Sequence, residues 1–179
     1  MMYVSEPIES KPLNFYTELQ KTIYETLETL EIGFVRVNND AAVTMEDCVE
    51  ISRQLDTAIV KTLFLCNRQK TVFYLFVTAG DKPFVTKDFS KALGISRVSF
   101  AAPEALLEML GTRVGATTVL SSAADKENKV QIVMDRAVLN SKWFGCTDGT
   151  TTGYMKIKTE DLLNKYLPFT KHMPIVIEV

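Results

Sequence analysis

The chain has 179 residues, of which 46% are hydrophobic and 23% are charged. This composition is typical of a globular protein with a buried core, and it excludes a disordered, a fibrous or a coiled-coil protein. The formal net charge of −2 at pH 7 excludes a basic domain that binds DNA mainly through many phosphate contacts, but it leaves room for a local basic patch.

The residue pattern predicts neither a membrane span nor an export signal. The longest purely apolar run, Val72–Val77, has six residues, whereas a membrane-spanning helix needs about 20. No basic segment followed by an apolar one opens the chain, so no secretory signal is expected. The sequence therefore favours a cytoplasmic protein with no membrane partner.

The cysteines and the histidine indicate neither a metal site nor a disulfide framework. Cys48, Cys66 and Cys146 are odd in number and form no Cys-x-x-Cys pair, and His172 is the only histidine. We therefore predict no metal and no other cofactor. Two interpretations of the cysteines remain, a catalytic Cys–His pair and buried free thiols, and the sequence favours the second.

The first elements in chain order follow a leader with no periodicity. Residues 1–12 carry two prolines and are predicted to be a loose leader, followed by one domain over residues 13–179. Asn14 is a plausible N-cap for a helix with one apolar face, and this helix ends at Gly33. The alternation of Phe34–Val37 predicts a short strand.

A helix and a hairpin are predicted next. Thr44 and Asp47 have the spacing of a capping box and would start a helix that runs to about Leu55. The segments Ala58–Cys66 and Thr71–Thr78 are rich in β-branched and aromatic residues. A short polar stretch joins them, which predicts two strands of an antiparallel hairpin.

The second half of the chain mixes helices and strands. Thr86 is predicted to cap one short helix, and Pro103 to lie in the first turn of another that ends before Gly111. The remaining predicted elements are strands at Lys129–Met134, Tyr154–Ile157 and Pro174–Val179, and a helix that Thr159 caps and that ends before Pro168. Without strict βαβ alternation, this order favours a single α+β or α/β domain with a mixed sheet.

Lys61 is a charged residue within the apolar strand Ala58–Leu65. A buried ammonium is costly unless it has an anionic partner or reaches an edge, so Lys61 is a candidate functional residue. The alternative is a lysine on the solvent face of a half-buried strand.

Two loops rich in small polar residues are candidate ligand contacts. Gly111–Thr118 could bring backbone amides close to a ligand, although it matches neither a P-loop nor a dinucleotide fingerprint, and a helix C-cap followed by a turn explains it equally. Cys146–Gly153 could form the rim of a pocket or a solvated turn. The charged run Asp125–Lys129 is predicted to be an exposed hairpin turn, and His172 a structural or surface residue. No nucleophile–base–orienter set emerges.

The order of these segments resembles the YbaK / prolyl-tRNA-synthetase-associated editing domain family, whose free-standing members hydrolyse aminoacyl-tRNA that carries the wrong amino acid. The resemblance runs from about Phe15 to Val179. It is carried by Ala58–Leu65 with its lysine, Val98–Ala101 between two helices, Gly111–Thr118, Val130–Asp135, Thr159–Tyr166 and His172–Ile177.

The resemblance implies a mixed, mostly antiparallel central sheet with flanking helices and a small pocket for the amino-acid moiety. It makes Lys61 the candidate catalytic residue, as an electrostatic clamp on the acceptor end. The substrate-binding candidates that it implies are Val43, Thr44, Thr62, Gly115, Thr118, Thr147, Asp148, Gly149 and Thr151.

The chain departs from the family pattern at two places. Alanine-specific members carry Asn directly after the lysine, where this chain has Thr62, and a His-Pro-x-x-Asn motif where it has Thr147–Thr151. The Ser-Gly-Gly-like stretch of cysteine-editing members is closer to Thr147–Gly149. Since a pocket separates neighbouring small amino acids by only about 1–3 kcal/mol, these changes leave the amino acid unassigned.

Two functions follow from the resemblance. The first is a deacylase that acts in trans on mischarged tRNA carrying a small amino acid, on tRNA-Pro or a related tRNA. The second is a non-catalytic member that binds an aminoacyl-tRNA end or an amino acid as a sensor or regulator. The expected partners are the tRNA acceptor end and an aminoacyl-tRNA synthetase, and no DNA. Basic residues for phosphates are scattered at Lys82, Lys87, Arg113, Lys129 and Lys142, which predicts weak, salt-sensitive tRNA binding.

Overall fold

Two β-sheets organise the chain in the computed structural model, which describes residues 1–179. The strands are β1 (Phe34–Asn38), β2 (Val60–Asn67), β3 (Phe73–Ala79), β4 (Val98–Phe100), β5 (Val130–Asp135), β6 (Trp143–Thr147), β7 (Gly153–Lys158) and β8 (Ile175–Ile177). One sheet has the order β1-β7-β6 and the other β4-β2-β3-β5-β8. Only the β3–β5 and β5–β8 pairs are parallel, which confirms a mixed, mostly antiparallel fold.

Seven α-helical segments flank the sheets: α1 (Glu18–Thr29), α2 (Cys48–Leu55), α3 (Thr86–Leu93), α4 (Pro103–Leu110), α5 (Arg136–Leu139), α6 (Thr159–Asp161) and α7 (Leu167–Phe169). A 3₁₀-helix covers Val119–Ala124, and a π-helical segment, Leu162–Tyr166, joins α6 to α7. The main core lies between α1, the 3₁₀-helix and both sheets. None of the helices is long and apolar enough to cross a membrane.

The two sheets meet where β2 begins. Ile59 and Gly145 form a parallel bridge, and a Cβ atom on Gly145 would lie 2.6 Å from the carbonyl oxygen of Ala58. Only a residue without a side chain permits this close approach of two backbones. On the same edge of β2, β4 pairs only with residues 65–67. The edge between these two contacts is therefore open, and it provides the wall of a cavity.

Several predicted elements are confirmed. The hairpin is β2 and β3, paired antiparallel from Val60 to Cys66. The predicted reciprocal bonds are present: the Thr44 N–H donates to Asp47 Oδ2 (3.1 Å), and the Asp47 N–H donates to Thr44 Oγ1 (3.2 Å). They close a turn just before α2, which begins at Cys48 and not directly after Thr44. Pro103 opens α4, as predicted.

Three predicted helix caps are wrong. Lys158, not Thr159, occupies the N-cap position of α6, and Thr159 is its first helical residue. Thr17, not Asn14, caps α1, because its Oγ1 accepts a hydrogen bond from the N–H of Gln20 (3.0 Å). Phe15 therefore precedes the helix, although it still packs against the core. In α3 the N-cap position is occupied by Val85, which provides no side-chain cap, and Thr86 is the first helical residue.

The last predicted helix does not end before Pro168. It continues as a π-helical turn into α7, in which Pro168 is the second residue. The hydroxyl of Tyr166 donates to the carbonyl of Leu120 (2.6 Å) and anchors this turn in the core. Four elements were not predicted: β4, β6, α5 and the 3₁₀-helix.

The charged run before β5 and the N-terminal leader are both tied to the domain. Asp125 is buried, and it accepts hydrogen bonds from the N–H of Val130 (2.8 Å) and from Nε2 of buried His172 (2.8 Å). The run joins the 3₁₀-helix to β5 and is therefore not a hairpin turn; residues 126–129 are exposed as predicted, whereas Asp125 is buried. The histidine has a structural role. Val4 and Ile8 form bridges to Asn39 and Arg36, alongside β1.

Candidate functional site

A cavity of about 440 Å³ lies along the open edge of β2. The turn before α2, the start of α4, the loop after α4 and the end of β6 provide its other walls. Six of the ten predicted site residues line it: Val43, Thr44, Lys61, Thr62, Gly115 and Thr147. A larger cavity of about 550 Å³ shares Met45 and Cys48 with it, but that cavity is lined by none of the ten.

Thr62 presents its backbone to the cavity. The carbonyl of Phe64 accepts a hydrogen bond from the N–H of Ala101 (2.9 Å), on the side of β2 that faces β4. Backbone groups alternate between the two edges of a strand, so the N–H and carbonyl of Thr62 point to the same edge. Because β4 pairs only as far as Leu65, these two groups have no strand partner and face the cavity.

Lys61 forms part of the cavity wall, but its ammonium lies elsewhere. Side chains alternate between the faces of a strand, so Lys61 shares a face with Leu63 and Leu65, which belong to a different apolar cluster from Val60 and Phe64. The ammonium donates a hydrogen bond to the carbonyl of Lys82, in the turn after β3. The charge is thus held by a neutral acceptor and makes no ion pair.

Gly115 brings the loop after α4 against the turn before α2. It has a φ of +93°, a conformation that a side chain disfavours, and a Cβ atom there would lie 3.0 Å from Cγ1 of Val43. Its N–H makes no hydrogen bond within the chain. The two loops can therefore approach this closely only because residue 115 is glycine. Its free N–H is a second backbone donor at the cavity.

Thr147 fixes the loop after α4 to the end of β6. Its Oγ1 donates to the carbonyl of Ala116 (2.9 Å) and accepts from the N–H of Gly149 (3.1 Å). The side chain is buried. Its hydroxyl therefore sets the position of the neighbouring Gly115.

The floor of the cavity carries a thiol and a phenol. Sγ of Cys48 donates to the carbonyl of Thr44 (3.4 Å), and the hydroxyl of Tyr154 donates to the carbonyl of Ala42 (3.3 Å). Burial raises the pKa of Cys48 above its ordinary value, and burial also raises the pKa of Tyr154. Both groups thus stay protonated at neutral pH, and the cavity is lined by no carboxylate or imidazole that could activate them.

Four predicted site residues do not line the cavity. The buried carboxylate of Asp148 accepts hydrogen bonds from Gln20 Nε2 (2.9 Å) and from the hydroxyl of Tyr24 (3.0 Å). Thr118, Gly149 and Thr151 likewise hold loops: the first caps the 3₁₀-helix, the second packs against Leu19, and the carbonyl of the third accepts from the N–H of Ala42. These residues support the walls from behind.

Sequence reasoning missed several residues that line the cavity. Cys48 and Tyr154 form the floor, and Phe100 and Val114, which are 62% and 68% exposed, lie at the rim. Exposed large apolar residues carry no signal in the sequence, because exposure depends on the fold. No group of three or more His, Cys, Asp or Glu residues is placed to hold a metal ion.

The profile of the aminoacyl-tRNA editing domain family matches residues 39–165, which include the turn before α2, all of β2 and the loop around Gly115. The chain belongs to this family. The match includes all ten predicted site residues, from Val43 to Thr151.

Relatives of this editing domain cover most of the chain. Prolyl-tRNA synthetase associated domain-containing protein 1 of Danio rerio is 29% identical over 162 residues, which are 89% of this chain and 87% of the relative. Prolyl-tRNA editing protein ProX of Acetoanaerobium sticklandii is 23% identical over 145 residues, which are 81% of this chain and 88% of that one.

Solved structures share the fold of this editing domain. A candidate trans-editing enzyme for prolyl tRNA synthetase matches with a TM-score of 0.65 at 15% identity, over 92% of this chain and 99% of that chain. The hypothetical protein APE2540 matches with a TM-score of 0.68 at 17% identity, over 87% of this chain and 98% of that one.

Proposed function

We propose that this editing domain is an aminoacyl-tRNA deacylase that acts in trans on a wrongly attached small amino acid. The observation that carries the proposal is the cavity on the open edge of β2, where two backbone N–H groups are free and no activated nucleophile is present. Such a cavity suits an ester that water attacks directly. The names of the relatives, ProX among them, support tRNA-Pro or a related tRNA as the carrier.

The reaction is hydrolysis of the ester between the amino acid and the terminal ribose. Water attacks the carbonyl carbon, the bond to the ribose oxygen breaks, and that oxygen takes up a proton as the free amino acid leaves. The N–H of Thr62 donates to the oxyanion that forms, and the N–H of Gly115 holds the substrate beside it. A single fixed donor of this kind contributes about 10²–10³ in rate.

Lys61 is proposed to clamp the acceptor end. Its ammonium rests on the neutral carbonyl of Lys82, and a phosphate or a polarised ester oxygen is a stronger acceptor than that carbonyl. The long stem of lysine allows the charge to move toward the substrate while the backbone of the residue stays in β2.

The cavity volume of about 440 Å³ lies within the range of about 300–1,000 Å³ typical of small-molecule sites. It accommodates a small amino acid together with its ribose. Hydroxyl groups of Thr44 and Tyr154 line it beside apolar residues, so an amino acid with a small polar or apolar side chain fits best.

One observation favours the alternative, a sensor that binds an aminoacyl end without cleaving it. The ammonium of Lys61 is directed away from Thr62 and bonded to the protein itself, and the segment Thr147–Thr151 lacks the histidine and asparagine of alanine-specific members. In this alternative the cavity binds the substrate, but the water is not activated.

Deacylation assays separate the two functions. Wild type and Lys61→Ala are incubated with tRNA-Pro charged with alanine, cysteine, serine, threonine or proline, and release of the amino acid is measured. We expect turnover of one mischarged species that falls strongly in the variant, whereas Lys165→Ala, an exposed change far along the chain, stays at the wild-type rate. Binding without turnover by a folded wild-type protein would support the sensor instead.

A further inference from the structure

A basic groove lies between α3 and the start of β4. It has a volume of about 630 Å³, and its charged lining residues are Lys87, Lys91 and Arg97, with no carboxylate among the residues that line it. Lys87 was one of the scattered basic residues of the sequence. The fold brings it together with two further cations that the sequence had not grouped with it.

The three cations have no carboxylate partner. None of them takes part in an ion pair, and all three are exposed. Other basic residues do pair, as Lys82 does with Asp135 (2.7 Å). Like charges gathered in one groove repel one another, so this arrangement is suited to a bound polyanion.

Two polar features add to the groove. Ser90 lines it and is only 7% exposed, yet its hydroxyl has no hydrogen-bond partner, which is unusual for a buried polar group. Thr86, the first residue of α3, also lines the groove, at a helix start without a side-chain cap. Asp88, in the same turn, lines a separate cavity.

Strand β4 connects the groove to the candidate site. Arg97 lines the groove and Phe100 lines the cavity beside β2, and three residues of extended strand span about 10 Å. Phe100 is 62% exposed. A basic groove beside an exposed aromatic ring is the combination that binds single-stranded nucleic acid, through phosphates and base stacking.

We propose that this groove binds the phosphates of the single-stranded 3′ end of tRNA and that Phe100 stacks on a base as the strand passes into the cavity. The inference rests on the proposed function, because it places the groove on the path to that site. Three phosphate contacts would account for part of the affinity and for its dependence on salt.

RNA binding tests the groove directly. The probe is an acceptor-stem hairpin RNA that ends in single-stranded CCA and carries no amino acid. Its affinity is measured at salt concentrations between about 50 and 200 mM. The variant carries Lys87→Gln, Lys91→Gln and Arg97→Gln; the control carries Lys21→Gln, Lys126→Gln and Lys158→Gln, three exposed and unpaired lysines outside the groove and the cavity.

We expect the groove variant to lose affinity and its slope of log K against log salt to become shallower by about 2, since each single-strand contact contributes about 0.7. The control variant should keep most of both. Equal losses of RNA affinity in the two variants would contradict binding at the groove, because they would show that only the net charge of the protein matters. So would equally tight, groove-dependent binding of a blunt RNA duplex or of anionic lipid vesicles.

Hydrolysis of the charged hairpin separates this inference from the proposed function. If both hold, the groove variant has a raised KM and an unchanged kcat. If the wild type shows no hydrolysis, and RNA binding is lost in the groove variant but not in the control, the groove proposal is supported and the deacylase proposal is contradicted. If the groove variant binds the RNA and hydrolyses the aminoacylated hairpin as the wild type does, the groove proposal is contradicted and the deacylase proposal is supported.

Discussion

In β2, Thr62 turns its backbone N–H toward the cavity, whereas the ammonium of its neighbour Lys61 lies against the carbonyl of Lys82. At the scale of single residues, the candidate chemistry thus depends on backbone groups as much as on side chains. Substituting the thiol or the phenol of the floor changes the shape of the cavity, but it removes no nucleophile, because burial keeps Cys48 and Tyr154 protonated.

Gly115 is the residue whose substitution should disturb this backbone most. In Gly115→Ala the new Cβ meets Val43 at about 3.0 Å, and the left-handed conformation adds roughly 1–2 kcal/mol of strain. We expect the free energy of unfolding to fall by about that amount and the KM for the aminoacylated hairpin RNA to rise.

The matched control is Gly33→Ala, where a Cβ atom meets nothing within 4 Å and φ is not positive. Urea unfolding and steady-state kinetics compare the two variants. A Gly115→Ala protein as stable and as active as Gly33→Ala would contradict the close approach of the two loops.

At the scale of elements, the turn after β3 connects the Lys61 ammonium to the end of β5. Nζ of Lys82 binds Oδ2 of Asp135 (2.7 Å) and the carbonyl of Val179 (2.6 Å), and the hydroxyl of Thr78 donates to the same carboxylate (2.7 Å). Strand β3 and the turn after it therefore meet the end of β5 at Asp135, and Lys82 also binds Val179. The turn that accepts the Lys61 ammonium is held by this carboxylate.

The contribution of the ionised Asp135 carboxylate to stability should depend on pH. Burial opposes its ionisation, but hydrogen bonds from Lys82 and Thr78 outweigh burial and hold the pKa of Asp135 below its ordinary value. A carboxyl whose pKa is lower in the folded state stabilises the protein above the unfolded pKa of about 3.9, and this stabilisation is lost as the pH falls through the folded value.

Comparing wild type with Asp135→Asn isolates that contribution. We expect the difference in unfolding free energy to be largest above about pH 5 and to shrink below about pH 4. Urea unfolding over that range measures it. A difference that stays constant with pH would show that the carboxyl is not ionised in the folded protein or gains nothing from Lys82.

The sequence predicted local elements well where one strong signal decides them. The Thr44–Asp47 capping box and the β2–β3 hairpin are of this kind, because their chemistry is contained in a few adjacent residues. The start of α1 was misplaced by three residues, since both Asn14 and Thr17 are good caps and only Thr17 is in position to bond Gln20. Strand β6 was missed although it pairs with β7, the next strand along the chain; only the bridge from Gly145 to Ile59 is distant in sequence.

The candidate site was predicted only in part, because contacts between residues distant in sequence leave no local signal. Lys61 was a candidate from its place in an apolar strand and the other nine residues from the family resemblance, and six of the ten line one cavity. Asp148 has the residue type of a site but is buried behind it, bonded to Gln20 and Tyr24 from α1. That partnership spans more than a hundred residues and has no local signal.

At the scale of the whole molecule, two sheets meet at one bridge and leave the edge of β2 open between them. The cavity lies at this opening, and β4 leads from it to the basic groove beside α3. With a net charge of only −2, any affinity for RNA depends on such a local concentration of positive charge and not on the protein as a whole.

The central claim, that a backbone donor on the open edge of β2 stabilises the transition state, can be tested by removing that one hydrogen. Incorporating the α-hydroxy analogue of threonine at position 62 replaces the N–H by an oxygen and keeps the side chain. Thr62→Val is the control that keeps the N–H and loses the hydroxyl. We expect hydrolysis of the mischarged hairpin to slow by about 10²–10³ in the ester protein and by only a few-fold in Thr62→Val. A folded ester protein that hydrolyses the hairpin at the wild-type rate would contradict the claim.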